Sequence, residues 1–309
     1  MIPANNKWGV IVNPHSGNKK VPKQWNTIHP LLHEMDTEIH FTKAPAHATE
    51  LTKELVENGC RKIIVVGGDG TVSEVVNGIY LSNIEDKNQV TVALIPCGTG
   101  NDWGRFWGID RNFEKAVQYI NNGKTQVIDI GRCSYKMAGV PTEQYFINGA
   151  GGGFDATVVQ VTTRLKAFLG GHKWVYSLSL LLSVFFFRAK RMTIGYNGEE
   201  IQQKIFTFSI GNGCYTGGGI KQNPNALPYD GLFDAIVVSK PSFLQIIKGI
   251  ALVFKGRIAE HPCVTSFQST GITIAGDKKI PMELDGIDIR GDGEYHIQIV
   301  PNALRMVVP

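Results

Sequence analysis

The chain lacks the cysteine patterns of metal-bound or disulfide-bonded proteins. Its five cysteines are odd in number and scattered, and no two of them form a CxxC pair. Neither a zinc knuckle nor a disulfide framework is therefore predicted, and reduced thiols are the simplest interpretation. The start of the chain also lacks the basic segment and apolar core of a secretory signal peptide. We accordingly expect a cytoplasmic protein.

A strong charge of one sign is also absent. The formal net charge is +4 and the sequence pI is about 8.7. The chain contains neither a long basic run nor the alternation of aromatic and basic residues that is typical of RNA-binding proteins. The mild positive charge favours a small anionic ligand or a membrane surface as partner, and it argues against nucleic acid.

No apolar run is long enough to cross a bilayer. Residues 174–187 would rise about 21 Å as a helix, against roughly 30 Å of hydrocarbon. We interpret them first as a buried helix, with a helix that lines an apolar pocket or touches a membrane as the alternative. Residues 243–257 combine apolar positions with Lys248, Lys255 and Arg257. Such a helix either lies on anionic lipid or packs on the core with a solvated edge.

The residue pattern changes near residue 130. Before it, β-branched apolar segments (8–13, 37–42, 62–67 and 90–96) alternate with helical patterns (23–35, 46–58 and 72–82). This alternation predicts βαβ units and an open parallel sheet. After it, short strands separated by glycine-rich turns predict an antiparallel β-sandwich. No Pro- or Ser-rich linker and no internal repeat separates the two halves.

Glycine-rich loops follow three of the four predicted strands. They read NPHSG (13–17), GGDGT (67–71) and PCGTGND (96–102). Ligands of open parallel sheets bind beyond the carboxyl ends of the strands, and small residues let backbone N–H groups approach phosphate oxygens. A helix expected to begin near Thr71 adds its positive N-terminal end. The sequence therefore predicts a phosphate site where these loops meet.

Two common phosphate-binding motifs are missing, and their absence gives Asp69 a role. The chain has neither GxxxxGK[ST] nor a GxGxxG after its first strand. Without a P-loop lysine, a divalent cation is the natural counter-charge, because Mg²⁺ prefers oxygen ligands and bridges carboxylate to phosphate. Asp69 is the predicted carboxylate. The alternative is a turn aspartate that caps its own helix, although Thr71 could serve as that cap.

Taken together, these loops resemble the nucleotide loops of the diacylglycerol kinase catalytic-domain family, which includes bacterial lipid kinases and eukaryotic sphingosine and ceramide kinases. The resemblance continues into residues 215–238, where DGLFD matches a DG-x-x-D pattern, and into the closing segment 300–309. An isolated GGDGT also occurs in NAD kinases and phosphofructokinases, so the later segments favour the lipid kinases.

The resemblance implies an ATP- and Mg²⁺-dependent kinase that phosphorylates the hydroxyl of a membrane lipid such as diacylglycerol. It implies an α/β nucleotide domain of the NAD-kinase and phosphofructokinase type (residues 1–130, with a returning strand at 301–309) and a lipid-binding antiparallel β-sandwich (residues 131–300). A location on the inner face of the membrane agrees with this activity, and a homodimer is compatible with the sequence. By position, the residues implied to line the ATP site are Asn13, Pro14, His15, Ser16, Gly17, Thr42, Gly68, Asp69, Gly70, Thr71, Val72, Ser73, Glu74 and Thr99.

The resemblance also implies a second, structural Mg²⁺ near the DG-x-x-D turn. Its ligands would be the Asp230 carboxylate and the backbone oxygens of Leu227 and Leu232. A tight turn can offer a carboxylate and carbonyl oxygens together. A plain β-turn aspartate is the alternative.

One position departs from the family pattern. Family members carry a D-G-E triplet near the C-terminus, whose acids are assigned to general-base work, and here its place is taken by Asp285, Gly286 and Ile287. A literal DGE at 292–294 reads as the hairpin turn before the last strand, which leaves Glu294 as the less favoured acid. Asp285 is the predicted base, with Asp288 as a helper. A slow kinase, a different acceptor and a nucleotide-binding homologue without turnover stay open.

Overall fold

The computed structural model describes residues 6–169, 190–239, 241–276 and 280–309, together with a few residues between 170 and 189. Backbone contacts divide the chain into two units. The first comprises Met1–Ile130, Gly217–Gly219 and Val300–Pro309, and the second comprises Gly131–Thr216 and Ile220–Ile299. The apolar run at 174–187 lies largely outside the described residues.

The first unit contains the predicted open parallel sheet. Its strands are β1 (Trp8–Val12), β2 (Thr37–Phe41), β3 (Lys62–Gly67) and β4 (Thr91–Pro96). They pair in the order β2–β1–β3–β4, and all three pairings are parallel. The inner strands β3 and β4 are almost wholly buried, which explains their uninterrupted β-branched and apolar sequences.

In the described part of this unit, four α-helical segments lie between these strands and two follow β4. They are α1 (Ser16–Lys19), α2 (Val21–Leu31), α3 (His47–Glu57), α4 (Asp69–Tyr80), α5 (Asp102–Trp107) and α6 (Phe113–Asn122). The helical patterns in the sequence predict α2, α3 and α4. Helix α4 begins at Asp69, two residues before the predicted start. Helices α5 and α6 are not predicted from the sequence.

The second unit is the predicted antiparallel sandwich. Strands β5 (Thr125–Met137) and β17 (Glu294–Val307) each run from one unit into the other, and Arg305 and Met306 of β17 pair with β4 in parallel. The other strands are β6 (Val140–Phe146), β7 (Gly149–Gly153), β8 (Lys190–Tyr196), β9 (Glu199–Gly211), β10 (Tyr215–Thr216), β11 (Ile220–Lys221), β12 (Phe233–Ser239), β13 (Val264–Ser269), β14 (Gly271–Gly276), β15 (Met282–Leu284) and β16 (Ile287–Ile289).

The sandwich strands pair mainly in the order β16–β15–β7–β9–β8–β14–β17, and β12 joins β9 to β13. Their inward side chains form one apolar core that includes Phe146, Phe208, Phe233 and Tyr295. Two helices, α7 (Phe154–Leu169) and α8 (Phe243–Phe254), interrupt the strands. None of the helices formed by described residues is long and apolar enough to cross a membrane.

The short β10–β11 hairpin differs from the predicted division of the chain. Its tip, Gly217–Gly219, has positive φ at all three residues and groups with the first unit, whereas the predicted boundaries place it in the second domain. Only glycine adopts three such conformations in succession without strain. The run of glycines therefore allows a sharp tip that belongs to the nucleotide-type unit.

Candidate functional site

The three glycine-rich loops lie side by side at one edge of the parallel sheet. Val12 pairs with Val66, and Gly67 pairs with Pro96, so β1, β3 and β4 end at the same edge. A Cβ atom on Gly17 would lie 2.3 Å from the carbonyl oxygen of Cys97. The loops therefore approach so closely that a side chain would not fit between them.

The same close approach occurs between the second and third loops. A Cβ atom on Gly68 would lie 2.8 Å from the Cα atom of Gly98. The N–H of Cys97 also donates to the carbonyl oxygen of Gly67, at 2.7 Å. In contrast, a Cβ atom on Gly70 would meet no atom within 4 Å. Gly70, in the first turn of α4, is thus the glycine of the GGDGT loop that leaves open space.

Thr71 ties the first loop to the second. The side-chain amide of Asn13 donates to the Thr71 hydroxyl at 3.0 Å, and Asn13 also accepts from the N–H of His15 at 3.0 Å. Helix α4 is capped at Gly68, with no side-chain hydrogen bond to the cap. Thr71 therefore does not act as the cap that it could have been, because its hydroxyl holds the two loops together.

Asp69 does not cap its own helix either. Its Oδ1 accepts from the N–H of Trp103, in the first turn of α5, at 3.0 Å. A Cβ atom on Gly100 would lie 3.1 Å from Oδ2 of Asp69 and 3.3 Å from Oδ2 of Asp102. Two carboxylates thus flank the same bare glycine.

Asp102 is the second carboxylate, and it is 5% exposed. Its Oδ2 accepts from the N–H of Gly218 at 2.8 Å. Its Oδ1 lies 3.8 Å from Nε of Arg105 and has no hydrogen-bond partner among the described residues. Burial raises the pKa of Asp102, and the negative charge of Asp69 adds to the rise, while Gly218 and Arg105 oppose it. Two acids held this close favour a cation between them.

Asn101, which precedes Asp102, is also buried and also has side-chain atoms without a hydrogen-bond partner among the described residues. It is 4% exposed and has a positive φ of 51°. Neither its amide oxygen nor its amide nitrogen has a hydrogen-bond partner in the part of the chain that the structure describes. Buried polar groups are nearly always paired, so unpaired atoms on neighbouring residues indicate a place that a polar ligand completes.

The donor set at this place fits Mg²⁺ bound to phosphate. No group of three or more His, Cys, Asp or Glu side chains that could hold a metal is found within the described ranges. Mg²⁺ commonly takes only one or two carboxylates and completes its shell with water and substrate phosphates. Asp69 and Asp102 supply two carboxylates, and the glycine loops leave room for phosphate.

Two arginines border the third loop. Arg111 donates to the carbonyl oxygens of Thr99 at 3.1 Å and Gly100 at 3.3 Å, and Arg105 donates to that of Gly100 at 3.4 Å. Both guanidinium groups are positively charged and offer several donors. Neither arginine is predicted from the sequence, although Arg105 follows Asp102 by one helical turn. Asn101 and Asp102 lie in the PCGTGND loop (96–102), whose pattern alone does not assign them a role.

Other predicted ATP-site residues have mostly structural contacts. Glu74 accepts from the N–H groups of Ala46 at 3.0 Å and Ala48 at 3.1 Å, so its carboxylate holds the start of α3. Val72 and Ser73 are fully buried in α4, at 0% exposure. Their side chains therefore have no surface to offer a ligand, and only backbone contacts are available there.

The remaining predicted residues lie near the loop edge. Thr42 is buried and donates its N–H to the carbonyl oxygen of Val12 at 2.9 Å. Pro14 and Ser16 are half-buried, whereas His15 and Thr99 are exposed. Contact of each with a nucleotide stays a prediction.

The predicted base, Asp285, lies in a tight turn of the second unit. Asp285 and Gly286 join β15 to β16 with φ values of 49° and 79°, as in a type I′ hairpin. The Asp285 carboxylate accepts from the N–H groups of Ile147 at 2.8 Å, Asn148 at 2.9 Å and Gly149 at 2.9 Å. The carboxylate is thus held by the turn between β6 and β7.

The neighbours of Asp285 also have contacts within the second unit. Ile287 pairs across the hairpin with buried Leu284, so the two side chains share a face of the sheet. Asp288, the predicted helper, accepts from the side chain of Gln160 at 2.7 Å and from that of Arg290 at 3.3 Å.

The literal DGE at 292–294 forms a connection rather than a hairpin. Strand β16 pairs with β15, whereas β17 pairs with β14, so the two strands on either side of the triplet are not partners. The Asp292 carboxylate accepts from the N–H groups of Ala138 at 3.2 Å and Gly139 at 2.8 Å. The expected hairpin is therefore wrong, because Asp292 fastens this loop to the β5–β6 turn. Glu294 is exposed at the start of β17.

The contacts of the DG-x-x-D turn are compatible with both a metal site and a plain β-turn. Oδ1 of Asp230 accepts from the N–H of Leu232 at 3.0 Å, and the carbonyl oxygen of Leu227 accepts from the N–H of Tyr229 at 2.8 Å. These bonds form a turn without any ion. Burial raises the pKa of Asp234, and the charge of Asp230 adds to this rise, although a hydrogen bond from Gln268 opposes it. The Mg²⁺ ligands stay a prediction.

The fold and the loop site together define a class of protein. An α/β unit with glycine-rich, acidic loops and an antiparallel sandwich is the architecture of NAD-kinase-like proteins. The crystal structure of yeast NADH kinase complexed with NADH matches 99% of this chain and 84% of that chain with a TM-score of 0.54. Its sequence identity is 12%, so this likeness shows the fold alone.

The family follows from more specific matches. Residues 7–133 match the diacylglycerol kinase catalytic domain, and residues 149–308 match the YegS C-terminal NAD kinase beta sandwich-like domain. The diacylglycerol kinase of Bacillus subtilis (strain 168) is 30% identical over 90% of this chain and 88% of its own length. The chain therefore belongs to the diacylglycerol kinase catalytic-domain family, as the sequence motifs predict.

Two further relatives agree with this placement. A YegS-like lipid kinase of Citrobacter koseri is 30% identical over 90% of this chain and 89% of its own length. A crystal structure of a protein assigned as a diacylglycerol kinase from Bacillus anthracis str. Sterne matches 98% of this chain and 95% of that chain, with a TM-score of 0.79 and 26% identity. Relatives named as lipid kinases thus cover both units.

Proposed function

We propose that the protein is an ATP- and Mg²⁺-dependent kinase that phosphorylates the hydroxyl group of a membrane lipid of the diacylglycerol type. The family supports phosphoryl transfer to a lipid, since relatives that cover about nine-tenths of this chain are named diacylglycerol kinase and lipid kinase. The single observation that supports the nucleotide site is the pair of carboxylates, Asp69 and Asp102, that flanks Gly100 among three glycine loops. The site of action is the membrane surface, where such a lipid lies.

Charge neutralisation is the first task of this site. Phosphoryl transfer depends mostly on positioning and on stabilising the charge of the moving group. Asp69 and Asp102 would hold Mg²⁺, which supplies positive charge to the phosphate oxygens. Backbone N–H groups of the three loops position the polyphosphate. Arg105 and Arg111 add positive charge beside Thr99 and Gly100, where a P-loop protein uses lysine.

The second task is removal of the proton from the lipid hydroxyl. As the new bond forms between the hydroxyl oxygen and the γ-phosphorus, the bond from phosphorus to ADP breaks, and the proton passes to a base. Asp285 is the predicted base, but its carboxylate already accepts three backbone N–H groups. Asp102 is proposed as a Mg²⁺ ligand and is therefore not available as this base, because a bound cation keeps its carboxylate charged. Asp288, the predicted helper, is the competing candidate.

The second, structural Mg²⁺ at Asp230 belongs to the same proposal. Asp230 and the carbonyl oxygens of Leu227 and Leu232 would hold it, and the nearby buried Asp234 adds negative charge. If so, chelation should lower the thermal midpoint of the wild type, and Asp230→Asn should remove part of that response. An identical response in the two proteins would favour a plain turn.

A second candidate function, binding without turnover, is supported by the residue at position 287. Ile287 stands where the family pattern has a glutamate, which favours a nucleotide- or lipid-binding homologue without turnover. Replacement of Ile287 by glutamate distinguishes the two candidates. A large gain in turnover would show that the chain had lost its acid, whereas little change would show that the acids present suffice.

A lipid-panel assay tests the kinase proposal. The protein would be incubated with radiolabelled ATP, Mg²⁺ and a panel of lipids in mixed micelles, including diacylglycerol, ceramide and sphingosine. We expect labelled phospholipid that disappears with EDTA and in Asp69→Asn. Asp36→Asn, an exposed carboxylate at 68% side-chain exposure, is the matched control and should keep full activity. Absence of product with every lipid contradicts the proposal.

A further inference from the structure

Helix α8 exposes an unusual amount of apolar surface. None of its twelve residues, Phe243–Phe254, is buried. Phe243 is 53% exposed, Leu244 77%, Ile247 51% and Phe254 66%. Together they are four of the ten large hydrophobic residues that are exposed in the described part of the chain. Of the two sequence-based interpretations of this segment, the structure favours the one in which the apolar side faces outwards.

These apolar side chains share one face. At about 100° of rotation per residue, Phe243, Phe254, Ile247 and Leu244 fall within an arc of about 100°. On the same scale, Lys255 and Lys248 lie about 20–40° beyond Leu244, along one border of the arc. Both lysines are exposed. We call these six residues the docking face.

The opposite side of α8 is anchored to the second unit. Ile246 packs beside the cluster that contains Phe154 and Phe206, and the backbone oxygen of Gln245 lies 3.0 Å from Nε2 of His261. A capping box between Ser242 and Gln245 fixes the first turn. The helix is therefore formed and oriented by the protein itself, and the docking face is presented as a rigid surface.

The charged residues of helix α8 have one sign. The sequence of α8 contains no aspartate or glutamate. Beyond the helix, Arg257 pairs with Glu260 at 2.6 Å, so this ion pair adds no net charge. Lys221 is exposed and lies next to the end of the helix, with its Cβ atom 3.4 Å from a Cβ position on Gly256. The apolar stripe is thus bordered by cations.

We propose that the docking face binds the surface of an anionic lipid bilayer. The four apolar side chains would lie among the upper acyl chains, and Lys248 and Lys255 would contact headgroup phosphates. Twelve residues rise about 18 Å, so the helix would lie in the interfacial plane rather than span the hydrocarbon. This inference rests on the proposed function, because a kinase whose acceptor is a bilayer lipid needs an element that holds it there.

Co-sedimentation with vesicles tests the inference. Wild-type protein is compared on vesicles of equal parts phosphatidylglycerol and phosphatidylcholine and on pure phosphatidylcholine. Each lysine near an anionic surface is worth about fivefold in binding. Lys248→Gln with Lys255→Gln should therefore weaken binding to the anionic vesicles by about 25-fold. Leu244→Glu with Phe254→Glu should weaken it by at least about 50-fold, because charged groups replace inserted apolar ones.

The matched control is Val140→Glu. Val140 is 61% exposed at the start of β6 in the same unit, and this variant should bind as the wild type does. Circular dichroism of all variants checks that the fold is kept. Equal vesicle binding by the wild type and the Leu244→Glu, Phe254→Glu variant would overturn the proposal. Failure of the wild type to co-sediment with anionic vesicles would also overturn it.

Activity measured in two lipid states separates this inference from the kinase proposal. On detergent-dispersed diacylglycerol the α8 variants should match the wild type, and on vesicles they should lose activity in proportion to binding. A wild type that binds vesicles through α8 but phosphorylates no lipid would refute the kinase proposal and support the docking face. If light scattering shows a dimer that Leu244→Glu converts to monomer while vesicle binding persists, the face joins two copies and the membrane proposal is wrong.

Discussion

Asp102 in the first unit begins helix α5 after a loop, and Asp285 in the second unit follows strand β15. The surroundings of the two carboxylates differ. Asp102 is buried, stands beside a second negative charge and has one oxygen without a hydrogen-bond partner among the described residues. Asp285 is half-buried and accepts three backbone N–H groups. The first carboxylate keeps one oxygen without a hydrogen bond among the described residues, whereas the second accepts several hydrogen bonds from the backbone.

This contrast separates two kinds of acidic residue that a sequence motif does not distinguish. A carboxylate saturated by backbone donors stabilises a turn and gains little from a ligand. A buried carboxylate near another one destabilises the free protein and gains most when a cation binds.

The largest expected effect is on turnover. We expect Asp102→Asn to lower kcat by about a thousandfold, because removal of a charge-stabilising group in phosphoryl transfer costs several kcal/mol. The amide still accepts the N–H of Gly218, so the thermal midpoint should not fall. Initial-rate assays on micellar diacylglycerol measure the effect. A loss of less than about fivefold would show that Asp102 is not part of the reaction.

Asp285→Asn should act mainly on stability. Hydrogen bonds to a charged group contribute about 1.5–3 kcal/mol each in favourable cases, and the amide nitrogen of asparagine would face backbone donors. We expect the free energy of unfolding to fall by about 2–3 kcal/mol, measured by urea denaturation with Asp36→Asn as control.

Turnover per folded molecule of the Asp285→Asn variant decides whether Asp285 acts in the reaction. Turnover per folded molecule close to that of the wild type would show that Asp285 is not the base. If stability is unchanged but turnover is lost, Asp285 is the base and the contrast drawn above fails.

Two glycines of one loop should respond in opposite ways. A methyl group on Gly70 meets no atom within 4 Å, and alanine favours a helix over glycine by up to about 1 kcal/mol. Gly70→Ala should therefore keep or raise stability and weaken ATP binding by about tenfold, because its methyl group occupies phosphate space. Gly68→Ala should lower stability, since its Cβ would lie 2.8 Å from the backbone of Gly98. Unchanged ATP affinity in Gly70→Ala would argue against phosphate at this turn.

A smaller effect follows from the raised pKa of Asp102. A carboxyl group with a raised pKa in the folded state contributes stability at pH values below its unfolded pKa, and this contribution is lost as pH rises through the folded pKa. Without Mg²⁺, Asp102→Asn should thus be more stable than the wild type at neutral pH, by roughly 1 kcal/mol. The difference should vanish at low pH, where both side chains are neutral. Thermal melts over pH in EDTA measure it, and a wild type that is the more stable at neutral pH contradicts the raised pKa.

The smallest expected effect is that of Ile287→Glu. Ile287 shares a sheet face with buried Leu284, so a carboxylate there lies beside apolar surface rather than among polar groups. We expect turnover to change by less than about threefold. A gain of a hundredfold in the micelle assay would show that the family glutamate is needed at this position.

The sequence predicts the parallel sheet and its loops because both leave local signals. Strands buried on two faces are apolar without interruption, and three glycine loops after such strands indicate one site. Helix α5 leaves little signal because it has six residues and follows a glycine-rich loop, where periodicity is weak. Helix α6 has a clear amphipathic pattern, with Ala116, Val117 and Ile120 buried, and was predictable from the sequence. The apolar alternation of YHIQIV (295–300) predicts the first half of strand β17, and the family likeness predicts its end.

The roles of single carboxylates depend on distant residues and cannot be predicted locally. Asp69 meets the backbone of Trp103, thirty-four positions away, and Asp102 meets Gly218, 116 positions away. The donors to Asp285 lie more than 130 positions upstream. The tertiary structure determines which carboxylates accept a full set of hydrogen bonds. The sequence motifs alone do not distinguish Asp285 from Asp102 in this respect.

Calorimetric titration of ATP into the wild type, once with Mg²⁺ and once with EDTA, tests the central claim most directly. If Asp69, Asp102 and the three glycine loops form a cation-dependent phosphate site, ATP binds with Mg²⁺, binds much more weakly with EDTA, and loses this difference in Asp102→Asn. Equal affinity in both buffers, or no binding in either, would contradict the account.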